Sequence, residues 1–182
     1  LGDVYKRQDA DLAAAIVERV RSYAKGTRSE RVSSEVSELV NKAVREFKRQ
    51  SGERVEVWIL QEQPVYIIVN PLEFELVIIN LLRNAAQALQ ELGVLNSKVA
   101  LTIKREDNKA LIAIEDNGHI EKEKIEKLSE PTNSTKADGL GLGLQIVRSI
   151  IENHGGKIFF SRAASGGLRV EIRLPAEETT EQ

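Results

Sequence analysis

The 182 residues suffice for one domain of ordinary size with an appendage, long enough to bury a core without disulfide staples. Hydrophobic residues make up 41% and charged residues 30%, the profile of a folded chain, while a net charge of −2 and 4% aromatics offer nucleic acid neither a field nor a stacking surface. The absence of cysteine and the presence of only two histidines exclude thiol chemistry and any cysteine- or histidine-built metal centre.

No apolar run approaches the ~20 residues of a bilayer span, and no leader pattern opens the chain. The expectation is a cytoplasmic segment, whose parent could still be anchored in the inner membrane. With no methionine and a start at Leu1, the chain is expected to be a piece of a longer protein. Leu1–Gln8 fits no element.

Asp9–Lys25 carries Leu12, Ile16, Val20 and Tyr23 at helical spacing, with Asp9 or Asp11 to cap its start and Gly26 to end it. The polar stretch Gly26–Glu30 breaks the pattern and marks the expected domain boundary, giving residues 1–30, 31–175 and a frayed tail, 176–182. A short extended piece at Arg31–Ser33 leads into a second amphipathic helix, Glu35–Arg49, with Ser34 as its expected N-cap and Gly52 closing it. Arg54–Leu60 and Val65–Val69 are rich in β-branched and aromatic residues and read as strands.

Pro71–Leu92 reads as a long helix, proline suiting its first turn and Gly93 following its end. Lys98–Arg105 and Lys109–Glu115 form an expected hairpin across Glu106–Asn108, and Glu121–Leu128 a short helix. Ser129–Gly143 is expected to be flexible; a helix then begins near Leu142, runs to Asn153 and stops at Gly155–Gly156. Lys157–Arg162 and Leu168–Leu174 form a last hairpin through Ala163–Gly167. This order predicts an α/β fold in two layers, one mixed sheet with helices on one face.

Three places could carry chemistry. On the long helix Asn80, Asn84 and Gln87 share one face among apolar neighbours. A buried amide without a partner costs about 1–3 kcal/mol, so this stripe should face water or a polar ligand. It is either a plain solvent face or a source of amide oxygen for Mg²⁺, a hard cation that takes oxygen donors together with phosphates.

Asp116-Asn117-Gly118 follows a strand directly and can be a simple turn. As a site, its ionised carboxylate accepts hydrogen bonds only, which suits the exocyclic amine of adenine, and Gly118 would let a base approach the backbone. Gly139, Gly141 and Gly143 alternate with Leu140, Leu142 and Leu144 and open a helix, whose free amides and dipole favour an anion. A structural hinge is the other reading of those glycines. Neither the lysine-serine pair of a P-loop nor the strand of a dinucleotide fold accompanies them. His119 reads as a turn residue, and His154 as a residue at a helix C-terminus, where partial positive charge is favourable.

Taken together, these places resemble the sensor histidine kinases. Asn80-Leu-Leu-Arg-Asn84-Ala is similar to their asparagine box, Glu115-Asp-Asn-Gly118 to the first glycine box, and Gly139–Leu144 to the second. Glu130-Pro and Ser134-Thr-Lys136 resemble the lid between the glycine boxes. Ile146-Val through His154-Gly-Gly156, and Gly166 through Pro175, resemble the closing segments. The likeness covers roughly Arg31–Pro175, and Asp9–Lys25 is similar to the end of a preceding dimerisation hairpin.

The resemblance implies a Bergerat-type α/β sandwich, shared with gyrase and MutL, that binds Mg-ATP and donates the γ-phosphate to a histidine of the dimerisation hairpin. It implies Asp116 and Gly118 at adenine, Asn84 with Asn80 at Mg²⁺, and Gly139, Leu140, Gly141, Leu142, Gly143 and Leu144 around the phosphates. Gln87, Thr135 and Lys136 join the nucleotide, Lys136 from the lid, as a phosphate contact or a surface charge. It also implies a homodimeric parent and a response-regulator receiver as partner. No phosphoaccepting histidine-acid pair is present, so it is expected upstream of Leu1.

The chain departs from the family in three places. After Gly118 the family usually has a residue and then a second glycine; here His119-Ile120 follow, best aligned by deleting one residue. Ser129 stands for a common lid phenylalanine and Thr132-Asn133 for an aromatic pair, and Gln87 takes a position that is often basic. Two further readings stay open. A hydrolase of the gyrase or MutL type would carry a glutamate where Asn80 stands, and an amide cannot take a proton from water. A degenerate nucleotide-binding or partner-docking module is the other.

Overall fold

A computed structural model describes residues 30–51, 54–130 and 141–178. The chain divides into two units, Leu1–Arg31 and Val32–Gln182, and every element below belongs to the second. The helix expected over Asp9–Lys25 lies outside the described residues.

Among the described residues, seven strands and four helices follow in chain order: β1 (Val32–Glu35), α1 (Val36–Ser51), β2 (Glu56–Gln61), β3 (Tyr66–Val69), α2 (Pro71–Glu91), β4 (Lys98–Glu106), β5 (Lys109–Asp116), α3 (Lys122–Ser129), α4 (Gly141–Asn153), β6 (Lys157–Arg162) and β7 (Leu168–Pro175). Five strands make one sheet in the order β2-β4-β5-β7-β6. Its β2–β4 pair is parallel and the others antiparallel. β1 and β3 do not join this sheet; they pair with each other as a separate two-stranded ribbon. A four-residue apolar run carries no signal of which strand it will join, and pairing partners are chosen by the packed whole.

Alternation explains the two layers. Val99, Leu101 and Ile103 of β4, Ala110, Ile112 and Ile114 of β5, and Val170, Ile172 and Leu174 of β7 are buried in one core with Phe47 of α1, Phe74, Ile78 and Leu82 of α2 and Val147 and Ile151 of α4. The other sheet face carries charge. Arg169 pairs with Glu115 and Glu171, and Arg173 with Glu171, over the central strands. Leu111 and Ala113 lie on that face yet are buried, because they sit opposite the long stems of Lys104, Arg173 and Glu171.

The helix ends follow their chemistry, with one exception. Asn70 caps α2 by accepting from the Glu73 N–H at 2.9 Å, and Pro71 opens the first turn. Gly93 ends the helix with φ +67°, where the Val94 N–H reaches back to Leu89 O. Ser34, however, is part of β1, and its hydroxyl donates to Val32 O. α1 starts at Val36, whose N–H donates to Val65 O at 2.9 Å, so a neighbouring chain segment does what the serine was expected to do. The tail also departs from expectation. Ala176 donates to Asn108 O and Glu177 to Tyr66 O, so these two residues are held by backbone bonds.

Candidate functional site

β5 ends at Asp116, and the turn that follows is built around that carboxylate. Asp116 is 6% exposed. Its Oδ1 accepts the Gly118 N–H at 2.9 Å and its Oδ2 the Leu168 N–H at 3.2 Å, while the Ser165 hydroxyl donates to its backbone oxygen. Burial pushes its carboxyl above the usual aspartate range, and the N–H donors of Gly118 and Leu168 oppose this.

Close approach fixes the glycines beside it. A methyl group on Gly167 would stand 2.2 Å from both Asp116 O and Oδ1, so no side chain fits. On Gly118 it would meet Asp116 Oδ1 at 2.9 Å and Leu89 and Leu92 at 3.2 Å. Gly118 thus lets the turn close on its own aspartate and on α2, and it is not part of the cavity wall. Gly166, Gly167 and Leu168 escaped the reading of the sequence as site residues. The only local signal was a glycine pair in a hairpin turn; their partner lies some fifty residues earlier in the chain.

A cavity of about 160 Å³ opens beside Asp116. Asn84 of α2 and Leu144 of α4 line it together with Asp116, so these three elements meet at one space. Most of the rest is apolar: Leu81, Ala85, Ile114, Phe160 and Val170. Glu91, His119 and Lys124 stand at it as well, and His119 pairs with Glu121 at 2.7 Å. An apolar slot with a few convergent polar groups suits a flat, partly polar ligand.

The asparagine stripe divides. Asn80 is buried, and its amide donates to Leu76 O at 2.9 Å, one turn back on its own helix. It need not face water, as the cost of an unpaired amide had suggested. Its Oδ1 lies toward the first turn of α4, where a methyl group on Gly143 would meet it at 3.6 Å. Gln87 turns to Glu91 at 2.9 Å and does not line the cavity. Gly141, Leu142 and Gly143 form the first turn of α4. Thr135, Lys136, Gly139 and Leu140 lie outside the described residues.

Among the described residues no group of three His, Asp or Glu could hold a metal. An amide oxygen from Asn84, with that of Asn80 toward Gly143, suits Mg²⁺ only if phosphates and water complete its six oxygen positions. The donor set therefore fits a metal that arrives with a nucleotide.

His154, read as a charged helix end, does something else. It is buried, its Nε2 accepts the Asn70 N–H at 3.1 Å, and its Nδ1 lies 2.7 Å from Ile150 O. Those partners require a neutral ring with the proton on Nδ1.

Residues 69–178 match the family of histidine kinase-, DNA gyrase B- and HSP90-like ATPases, and the chain belongs to that family. It is 32% identical over 173 residues to the sensor protein TdiS of Thauera aromatica, covering 91% of this chain and 31% of that protein. To the sensor protein FixL of Bradyrhizobium diazoefficiens it is 30% identical over 175 residues, covering 91% and 33%. It thus spans about a third of the length of these curated relatives. The nucleotide-free catalytic domain of histidine kinase ThkA superposes with a TM-score of 0.67 at 27% identity, over 80% of this chain and 95% of that one. The two-layer α/β sandwich of Bergerat type is the fold found. No helix among the described residues is long and apolar enough to cross a membrane.

Proposed function

We propose that this domain binds Mg-ATP in the cavity beside Asp116 and donates the γ-phosphate to a histidine on a dimerisation hairpin, as the catalytic half of a two-component histidine kinase. The observation that carries the reading is the meeting of a buried aspartate, a helical asparagine and Leu144 near the start of α4 around one apolar space. Asp116 accepts from the exocyclic amine of adenine while its backbone donors hold the carboxylate in place. Asn84, with Asn80, holds the metal, and Gly139, Gly141 and Gly143 enclose the phosphates, with Thr135 and Lys136 contacting them from the lid. Bound Mg²⁺ would neutralise phosphate charge.

In the transfer the bond from the γ-phosphorus to its bridging oxygen breaks and one to the imidazole nitrogen forms, leaving ADP. That reaction relies on positioning and charge, which a rigid pocket supplies. The Asn80 amide, donating to Leu76 O, offers no base for water, which speaks against a hydrolase. The proposal includes a homodimeric parent, a receiver domain as partner and a cytoplasmic location.

Calorimetric titration with adenosine and with Mg-ATP tests the reading. Asp116→Asn is the informative variant, because its amide oxygen keeps one of the Gly118 and Leu168 N–H partners, where an alanine would strand both. Binding of both ligands is expected to weaken about 10- to 100-fold, as for a lost hydrogen bond to a charged group. Undiminished binding would remove adenine from Asp116.

A further inference from the structure

The wall of the cavity formed by α3 poses a physical problem. This eight-residue helix has no buried residue, and its N-cap residue Glu121 makes no side-chain capping bond. Its Ile125 and Leu128 are only half-buried. A helix this short is not stable alone and is normally held by an apolar face. Yet Lys124 and Leu128 both stand at the cavity.

Two arginines hold its ends. Before the helix, the Arg162 guanidinium at the end of β6 donates to Ile120 O at 2.6 Å. At its last turn, Arg148 of α4 donates to Leu128 O. Arg148 also lies over the Phe160 ring, 5.0 Å from its centre, and Phe160 is itself part of the cavity wall. A guanidinium near the end of a helix also answers the negative end of its dipole.

We infer that Arg148 and Arg162 are positioning residues for the base-binding end of the cavity: they hold α3 against the sheet from its two ends and so set the width of the slot, touching no ligand themselves. The inference rests on the nucleotide reading above. It assigns to them a loss of affinity that falls on the base and not on the phosphates.

Arg148→Met and Arg162→Met test this in the whole chain, with dissociation constants for adenosine and for Mg-ATP measured well below the unfolding midpoint. Each variant is expected to weaken both ligands equally, about tenfold, the equilibrium worth of one charge-assisted hydrogen bond. Amide exchange without ligand should quicken in α3 and stay unchanged in α2, which a general loss of stability would not produce. Wild-type affinity in both variants, or a loss confined to Mg-ATP, would overturn the inference. If the methionine variants do not fold, Arg148→Lys takes their place. Its single-point ammonium cannot both serve Leu128 O and lie flat on Phe160, so weaker adenosine binding supports the role and full affinity refutes it. Failure of the unaltered chain to bind either ligand needs no variant to be seen; it would sink the nucleotide reading and this inference with it.

Discussion

On the proposed reading, Asp116 has to remain an acceptor for a ligand while already serving two backbone N–H groups. A carboxylate has about four acceptor positions, so the demand can be met, but burial works against its charge. The consequence can be read against pH. Because the folded chain holds this proton to a higher pH than the unfolded one, its contribution to stability is full below the ordinary aspartate value of about 3.9 and is lost as pH rises through the raised value. Adenosine binding, which on the proposed reading needs the ionised form, runs the other way. Affinity is expected to fall on acidification with a midpoint above about 3.9, and the Asp116→Asn profile to lose that step. A wild-type profile without the step would mean that the ionised carboxyl is not the contact. The aspartate was legible because Asp-Asn-Gly directly follows a strand. Gly167 was not, since what excludes a side chain there is contact with Asp116, far off in sequence.

Helices and strands were legible wherever one face is apolar over several turns or pleats, as in α2, β4 and β5. Misreadings fell where a partner outside the element decides the outcome. Ser34 looked like a cap but belongs to a ribbon whose other strand comes some thirty residues later. His154 looked like a charge on a helix dipole, yet it joins the last turn of α4 to the Asn70 N–H that precedes α2. These two helices carry Gly143 and Asn84, so the histidine fixes their relative register. Replacing it with alanine removes the acceptor of a part-buried N–H and leaves a void. His154→Ala is expected to lower the unfolding free energy in urea by about 2–4 kcal/mol. A change under about 0.5 kcal/mol, the scale of ordinary surface substitutions, would show that the contact is incidental.

The site lies along the seam between the two layers, at the end of β5, the start of β7, the later half of α2 and the beginning of α4. One sheet face is covered by helices and the other carries an ionic ladder, and the cavity opens at this seam. A ligand bound here contacts both layers at once, so it should stabilise the whole domain rather than one loop. At a hundredfold excess over its dissociation constant a ligand adds about 2.7 kcal/mol. Metal alone should add nothing, because the described residues contain no cluster able to ligate it. The expected order of thermal midpoints is therefore free chain, equal to chain with Mg²⁺ or with EDTA; then ATP with EDTA; then ATP with Mg²⁺ highest. The last gap arises only if the amide oxygens of α2 and the phosphates share the ion. A rise with Mg²⁺ alone would reveal a metal site carried by the protein, and equal midpoints for ATP with and without the ion would remove Asn84 from any role as its ligand.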